Sequence, residues 1–204
     1  MCIRDSLTAI KLHFGERGND TYVNPVFVRQ VVDKVKEVGG RPFLTDTSAL
    51  YGGSRQNAVG HLLTAIEHGF DYSVAGAPLI IADGLLGGNF VEVEIRKKHI
   101  KRAKIAGDVA AADSMIVASH FKGHSMAGFG GAIKNLGMGC APPLGKADQH
   151  AASKPSVVEE RCKGCGRCVA LCPRSAVVLE GGKAVSYTHL RAHETVLDLV
   201  CRLL

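Results

Sequence analysis

The sequence lacks three features that would assign it quickly to a class of protein. It has no apolar run long enough to span a bilayer, so it predicts no membrane segment. Its net charge of +6 is modest, and this excess by itself predicts no nucleic-acid partner. Its seven cysteines are not spread along the chain as a disulfide framework, because four of them share one short run. This distribution favours metal binding in a reducing, cytoplasmic compartment.

The two ends of the chain resemble translated sequencing adapter. MCIRDS, residues 1–6, can be encoded by ATGTGTATAAGAGACAG, and the reverse complement of that string fits the codons of AVSYTHL, residues 184–190. Two ends of a natural gene are not expected to be inverted copies, and the string is similar to a transposase tag used in library preparation. We therefore set aside residues 1–6 and 185–204, with Cys2 and Cys201, and expect the native N-terminus to be missing, which leaves export open.

Three strand-like runs alternate with two helical patterns in the first half of the chain. The runs are Leu7–Phe14, Arg41–Thr47 and Ala77–Asp83. Strands that alternate with helices predict a parallel sheet covered by helices. We therefore predict an α/β domain, with a mostly parallel sheet and flanking helices, over residues 7–150.

The two helices are expected to start at polar caps and to bury apolar faces. Asn24 followed by Pro25 predicts the first start, and Ser54 predicts the second. The expected buried face of the first helix is Phe27, Val28, Val31, Val32, Val35 and Val38. That of the second is Val59, Leu62, Leu63 and Ile66.

The middle of the chain has a different pattern. The predicted elements are a hairpin at 90–95 and 99–106, a short helix at 108–113, a buried strand at 114–121 and a helix near Gly131–Leu136. The segment Ala141–Pro155 has three prolines and little periodicity. We expect it to be a linker.

The run CKGCGRCVALCP, residues 162–173, carries the strongest functional signal. Cys162, Cys165 and Cys168 are separated by two residues each, so their thiolates can converge on three corners of one cubane. The intervening glycines permit a tight turn and expose backbone N–H groups to the sulfur atoms. Thiolate ligands suit iron. A zinc site is the alternative, but zinc sites usually pair two separated C-x2-C knuckles, and this run is poorly spaced for that.

The run followed by Pro173 resembles one half of a bacterial two-cluster ferredoxin. In those proteins the fourth cysteine of the run ligates the other cluster. The resemblance implies that Cys172 serves a second cluster and that a second cysteine run supplies the missing ligand of the first. PRSAVVLEGGKA looks like the strand-turn-strand before that second run. The adapter-like end begins there, so we predict that residues 151–184 are the first half of a truncated module.

Three polar side chains lie at the end of the predicted strand at 114–121. SHFKGH places His120, Lys122 and His124 where strands of an open α/β sheet end, which is where ligands bind. They indicate an anion site, a metal site or acid–base chemistry, and are the candidate catalytic residues. The alternative is that they are polar residues leaving the core for solvent.

Four weaker signals leave their alternatives open. Gly128–Asn135 favours a close-packed turn over a phosphate loop, because Ile133 stands where a dinucleotide fingerprint needs glycine. The basic run 96–104 is a solvated face or a site for an acidic partner. Cys140 is a small buried residue or a reactive thiol. Asp46 and Asp83 are catalytic carboxylates or ordinary caps.

Together, FKGHSMAGFGGAIKNLGMGC (Phe121–Cys140) and CKGCGRCVALCP resemble the iron–sulfur proteins grouped as domain of unknown function 362. The resemblance implies an α/β domain with a ferredoxin insert and two [4Fe-4S] clusters in the intact protein. It carries no established reaction, so whether the protein is an enzyme stays open. We predict a redox protein whose ferredoxin-type module passes electrons to or from the α/β domain. The alternative is a non-catalytic protein whose clusters are structural or sense redox state.

The partner that this prediction requires is a redox protein or a small-molecule substrate. The sequence identifies neither.

Overall fold

The structure is a computed structural model that describes residues 5–124, 127–150, 157–172 and 177–186. The chain divides into two compact units, Met1–Lys146 and Ala147–Leu204. No helix among the described residues is both long and apolar enough to cross a bilayer. Pro173 and most of the adapter-like ends lie outside the described residues.

The first unit is built on a four-stranded parallel sheet. Its strands are β1 (Leu7–Lys11), β2 (Arg41–Asp46), β3 (Leu79–Ile81) and β6 (Ser114–Val117), in the order β3-β2-β1-β6. Lys11 is opposite Thr45 and Val117, and Asp46 is opposite Ile81, so all four strands end at one edge. This arrangement confirms the predicted α/β class.

The first helix, α1 (Pro25–Glu37), begins where the sequence predicts. The Asn24 side chain accepts a hydrogen bond from the backbone N–H of Val26, and Pro25 occupies the first turn. Val28, Val32 and Val35 are among its buried residues. Phe27 and Val38 are exposed, which corrects part of the predicted face. The reason is geometric: the stripe at 28, 32 and 35 covers the sheet, and both residues lie at its margins.

The second helix, α2 (Ala58–Glu67), differs more from the prediction. Its cap is Asn57, whose side chain accepts from the N–H of Gly60, so Ser54 is not the cap. Val59, Leu63 and Ile66 are exposed, while the buried residues are His61, Thr64 and Ala65. The sheet side of this helix carries polar groups, which a rule based on apolar periodicity assigns to solvent.

The core of the first unit lies between the sheet and these helices. It joins strand residues to helix and loop residues: Ile10, Leu12, Phe14, Val28, Val32, Leu44, Ala65, Phe70, Ala75, Ala77 and Ile81. Burial of this apolar surface stabilises the sheet. A short helix, α3 (Tyr72–Ala75), leads from α2 into β3.

The middle segment forms two hairpins. The predicted one is confirmed as β4 (Phe90–Glu94) with β5 (Arg102–Ala106), followed by α4 (Gly107–Ala111). The predicted strand at 114–121 ends at Val117, and Met115 and Ile116 are partly exposed because β6 lies at the sheet edge. The chain then forms β7 (Lys122–His124), which pairs with β8 (Gly128–Gly130).

Two helices follow the second hairpin. The helix predicted near Gly131–Leu136 is present as α5 (Ala132–Gly137). The expected linker is wrong over its first part, because α6 spans Pro143–His150. A proline at a first helical position costs no backbone hydrogen bond, so Pro143 starts this helix.

The described part of the second unit is small. It contains a 3₁₀ turn (Glu159–Arg161), α7 (Arg167–Leu171) and an antiparallel hairpin of β9 (Val177–Glu180) with β10 (Lys183–Ser186). The hairpin agrees with the predicted strand-turn-strand and extends two residues into the segment set aside as adapter-like.

Candidate functional site

Charged side chains meet where the parallel strands end. β1 ends at Lys11, β2 ends at Asp46, and Asp83 follows β3 by two residues; all three side chains are buried. The carboxyl edge of an open parallel sheet is where ligands bind in α/β proteins. We call this group, with His13, Arg55, His61 and Lys146, the strand-end cluster.

Lys11 is held by three oxygen atoms. Its Nζ donates to Asp46 Oδ1 at 2.8 Å, to Asn135 Oδ1 at 2.6 Å and to the carbonyl oxygen of Leu12 at 2.5 Å. An ammonium group has three hydrogens, so these bonds use them all. Lys11 therefore anchors β1 to β2 and to α5 and has no hydrogen left for a ligand.

Asp46 is the negative centre of the cluster. Its Oδ1 accepts from Lys11, and its Oδ2 lies 3.3 Å from Arg55 Nη1 and 3.5 Å from His61 Nε2. Burial alone would raise the pKa of Asp46, but the Lys11 charge and the imidazoles of His13 and His61 hold it well below its usual range. Asp46 is therefore a fixed carboxylate.

Arg55 connects Asp46 to a second carboxylate. Its Nε donates to Glu16 Oε1 at 2.8 Å, and its Nη2 donates to the Tyr51 hydroxyl at 2.8 Å. Tyr51 in turn donates to Glu16 Oε1 at 2.7 Å. Burial, countered in part by Arg55, raises the pKa of Tyr51 to about 12, so the phenol stays protonated. The chain Asp46–Arg55–Glu16 fixes the loop that precedes α2.

His13 is a titratable member of the cluster that solvent reaches. Its Nδ1 lies 3.8 Å from Asp46 Oδ2 and 3.4 Å from Arg55 Nη1, and 30% of its side chain is exposed. Burial lowers the pKa of His13 despite the opposing effect of Asp46, and the charges of Arg55 and Lys122 lower it further. A neutral imidazole backed by a buried carboxylate can exchange a proton with a bound molecule.

His61 has no hydrogen-bond partner for either ring nitrogen among the described residues, and its side chain is fully buried. Its Nε2 is 3.5 Å from Asp46 Oδ2, which is too long for a good hydrogen bond. The ring packs edge-on against Phe14, with the centroids 5.6 Å apart.

Lys146, from α6, borders the cluster. Its Nζ donates to Thr47 Oγ1 at 2.5 Å, to the Ser48 carbonyl at 2.7 Å and to the Ala141 carbonyl at 2.6 Å. Burial, partly offset by Asp46 and Asp83, lowers the pKa of Lys146 to about 8. Asp83 accepts from the N–H and hydroxyl of Ser48, and burial raises its pKa. Asp83 thus serves here as a loop cap.

Two of the three predicted residues, Lys122 and His124, lie together on β7, and the charge of Lys122 acts on His124. His124 Nε2 is 2.5 Å from Lys134 Nζ. The Nδ1 atom of His120 is buried without a hydrogen-bond partner among the described residues. Lys122 is near enough to His13 to lower its pKa, so this lysine joins the edge of the strand-end cluster.

Cys140 is nearly fully buried. Its Sγ lies 3.9 Å from the Asn135 carbonyl oxygen, and burial raises the pKa of its thiol. A buried thiol with a raised pKa is a poor nucleophile. This favours the small buried residue over the reactive thiol.

The cysteine run in the second unit surrounds a small core. Cys172 packs with Val177 and Ala184, and Cys162 and Cys168 lie against the same group; Cys165 is exposed. The Ala184 N–H donates to Cys162 Sγ at 3.3 Å, and this bond together with one from the Gly164 N–H lowers the pKa of Cys162.

The comparisons with known proteins decide the family. A family model described as "Domain of unknown function (DUF362)" matches residues 8–201. The chain belongs to this family. The match confirms the resemblance that the sequence motifs carry. Searches of curated proteins and of solved structures returned no significant match.

The cysteine run of this DUF362 protein carries thiol groups of the kind that ligate an iron–sulfur cluster. Gly164 and Gly166 adopt φ of 66° and 72°, which turns the chain between the cysteines, and an N–H group already points at one sulfur atom. Within the described ranges, however, no three His, Cys, Asp or Glu side chains converge as they would around a metal ion. Cys162, Cys165, Cys168 and Cys172 are the residues that would hold a cluster.

The sequence patterns of this DUF362 protein predict part of the strand-end cluster and do not predict the rest. Asp46 and Asp83 were candidates because each follows a strand. Lys11 and His13 were overlooked, although charged residues inside the apolar run LTAIKLHF were an available signal. Arg55, His61 and Lys146 come from a loop and two helices, and no local pattern marks them.

Proposed function

We propose that this DUF362 protein is an iron–sulfur redox protein. Cys162, Cys165 and Cys168 hold a [4Fe-4S] cluster, and Cys172 serves a second cluster in the intact protein. The bound cluster supplies one-electron chemistry, and the protein sets its potential and its distance from the acceptor. The observation that carries the proposal is the backbone N–H of Ala184 donating to Cys162 Sγ, because such bonds support thiolate ligands of iron.

Electrons pass to or from the α/β domain, whose site is the strand-end cluster. There Asp46 fixes its neighbours by charge, and His13 is a group that solvent and a bound molecule can reach. Proton exchange at His13 would accompany electron transfer, since reduction of an organic molecule usually consumes protons.

Anaerobic reconstitution of this chain with iron and sulfide tests the proposal. About four iron and four sulfide per chain, with a reducible paramagnetic centre, would support the iron–sulfur proposal but would show that this chain supplies its own fourth ligand, which would contradict the assignment of Cys172 to a second cluster. A three-iron or labile centre would show that the fourth thiolate lies outside the chain. No cluster in either this chain or the intact protein, or stoichiometric zinc, would overturn the proposal. Cys140→Ser is the matched control, because Cys140 lies outside the run.

A second candidate function is redox sensing or partner binding without catalysis. It is favoured by Lys11, because all three hydrogens of its ammonium group are bonded within the chain and none is left to bind a substrate. The two functions separate on Lys122→Ala and His124→Ala. The coupled enzyme is supported if these variants keep their iron and lose a ligand-dependent thermal shift that also varies with the cluster's redox state. If the redox state changes nothing in the α/β domain, the coupled enzyme is rejected and partner binding with structural clusters is favoured.

A further inference from the structure

Lys134 and His124 make a close nitrogen–nitrogen contact near the edge of the sheet at which the parallel strands end. His124 Nε2 lies 2.5 Å from Lys134 Nζ, and the backbone N–H of Ala127 donates to His124 Nδ1 at 3.1 Å. A peptide N–H can only donate, so Nδ1 carries no proton. The ring is therefore neutral, with its proton on Nε2. That proton points at Lys134, whose nitrogen must accept it and so must be an uncharged amine.

The surroundings of Lys134 favour the uncharged amine. The residue is half-buried, and among the described residues no carboxylate acts on it. Burial and the nearby Lys122 ammonium lower the pKa of Lys134. A lysine that is desolvated beside another cation is the usual arrangement for a nucleophilic amine.

The position of Lys134 suits a ligand site. The next residue, Asn135, accepts from Lys11 Nζ and donates to Ser119 Oγ at 3.0 Å, and these bonds tie α5 to the strand ends. Lys122 is close enough to affect the pKa of His13, His124 and Lys134, so it lies among all three. Its charge favours an anionic ligand.

We propose that Lys134 forms a Schiff base with an anionic carbonyl compound, such as a 2-oxo acid. When the carbonyl compound binds, the His124 N–H releases the Lys134 lone pair, which attacks the carbonyl carbon. The two amine hydrogens leave with the carbonyl oxygen as water, and a C=N bond forms. His124 holds the amine in its nucleophilic form, and Lys122 pairs with the carboxylate of the ligand. The proposal goes beyond the redox function and does not depend on it.

Trapping with glyoxylate and cyanoborohydride at neutral pH tests the proposal. Hydride reduces the C=N bond and leaves a carboxymethyl group on the lysine, which peptide mass spectrometry locates. We expect Lys134 to be labelled several-fold faster than the exposed lysines of the β4–β5 loop, Lys97, Lys98 and Lys101. Labelling of Lys134 at or below their rate would overturn the proposal.

Two variants test the partners of Lys134. His124→Ala should slow labelling at Lys134 without affecting Lys97, and circular dichroism should show an unchanged fold. Lys122→Met should reduce labelling by glyoxylate more than labelling by the neutral acetaldehyde. An equal reduction with both aldehydes would reject the anionic ligand. Labelling requires no iron, so a chain that fails reconstitution still gives a result here.

Discussion

Lys11 and Asp46 form a buried ion pair between the ends of two adjacent strands. The Lys11 Nζ to Asp46 Oδ1 distance is 2.8 Å, and the two side chains are 0% and 5% exposed. The pair holds β1 against β2 at the edge where the candidate site lies. Each charge stabilises the other, because either one alone would be buried away from water with no opposite charge to offset the cost of desolvation.

We predict that Asp46→Asn destabilises the first unit by about 3–5 kcal/mol, since it leaves Lys11 and Arg55 without their shared carboxylate. Urea unfolding at neutral pH measures the change. Asp33→Asn is the matched control, because Asp33 pairs with Arg29 on the surface of α1 and should cost less than about 1 kcal/mol. Equal costs for the two variants would show that the buried pair has no special role.

Because of Lys146, the free energy of unfolding should increase as the pH rises from neutral to alkaline. Its folded pKa of about 8 lies below the 10.5 of an unperturbed lysine, so between these values the unfolded chain binds more protons. The contribution of Lys146 to the free energy of unfolding should therefore rise by roughly 2–3 kcal/mol between pH 7 and pH 10. Comparing urea unfolding of the wild type with Lys146→Met cancels the exposed lysines; a constant difference across this range would contradict the prediction.

Cys140 should resist alkylation in the folded protein. Its thiol is buried and has a raised pKa, whereas Cys165 is exposed. In the folded, iron-free chain, iodoacetamide should label Cys165 much faster than Cys140. In urea the two cysteines should be labelled at similar rates. Rapid labelling of Cys140 in the folded protein would contradict this prediction and show that Cys140 is a reactive thiol.

Gly164 should tolerate no side chain. At its φ of 66°, an added Cβ would lie 2.2 Å from the Gly182 carbonyl oxygen. Gly164→Ala should therefore cost more than the roughly 1–2 kcal/mol expected for left-handed backbone alone. Gly181→Ala is the control, because Gly181 has φ of 56° and open space around it. Hydrogen exchange of the β9 and β10 amides measures both, and equal protection in the two variants would argue against the steric term.

The sequence predicted the first helix start and the strand positions well, because those signals are local. Asn24 and Pro25 fix a helix start through bonds to their own neighbours, and the run from Leu7 shows its strand by composition. The predicted buried face of α2 was wrong, because the buried side includes His61, which lies beside Asp46 on another element. Alternating or helical periodicity contains no information on such a contact.

The amino-acid sequence by itself determined the α/β class, the family and the spacing of four cysteines. These properties depend on residues that are neighbours along the chain. Tertiary structure alone decided that Lys11, Asp46, Arg55 and Lys146 share one site, and that Lys134 meets His124. The physical reason is that parallel strands deliver distant segments to one edge, where low polarity and nearby charge change what each side chain can do.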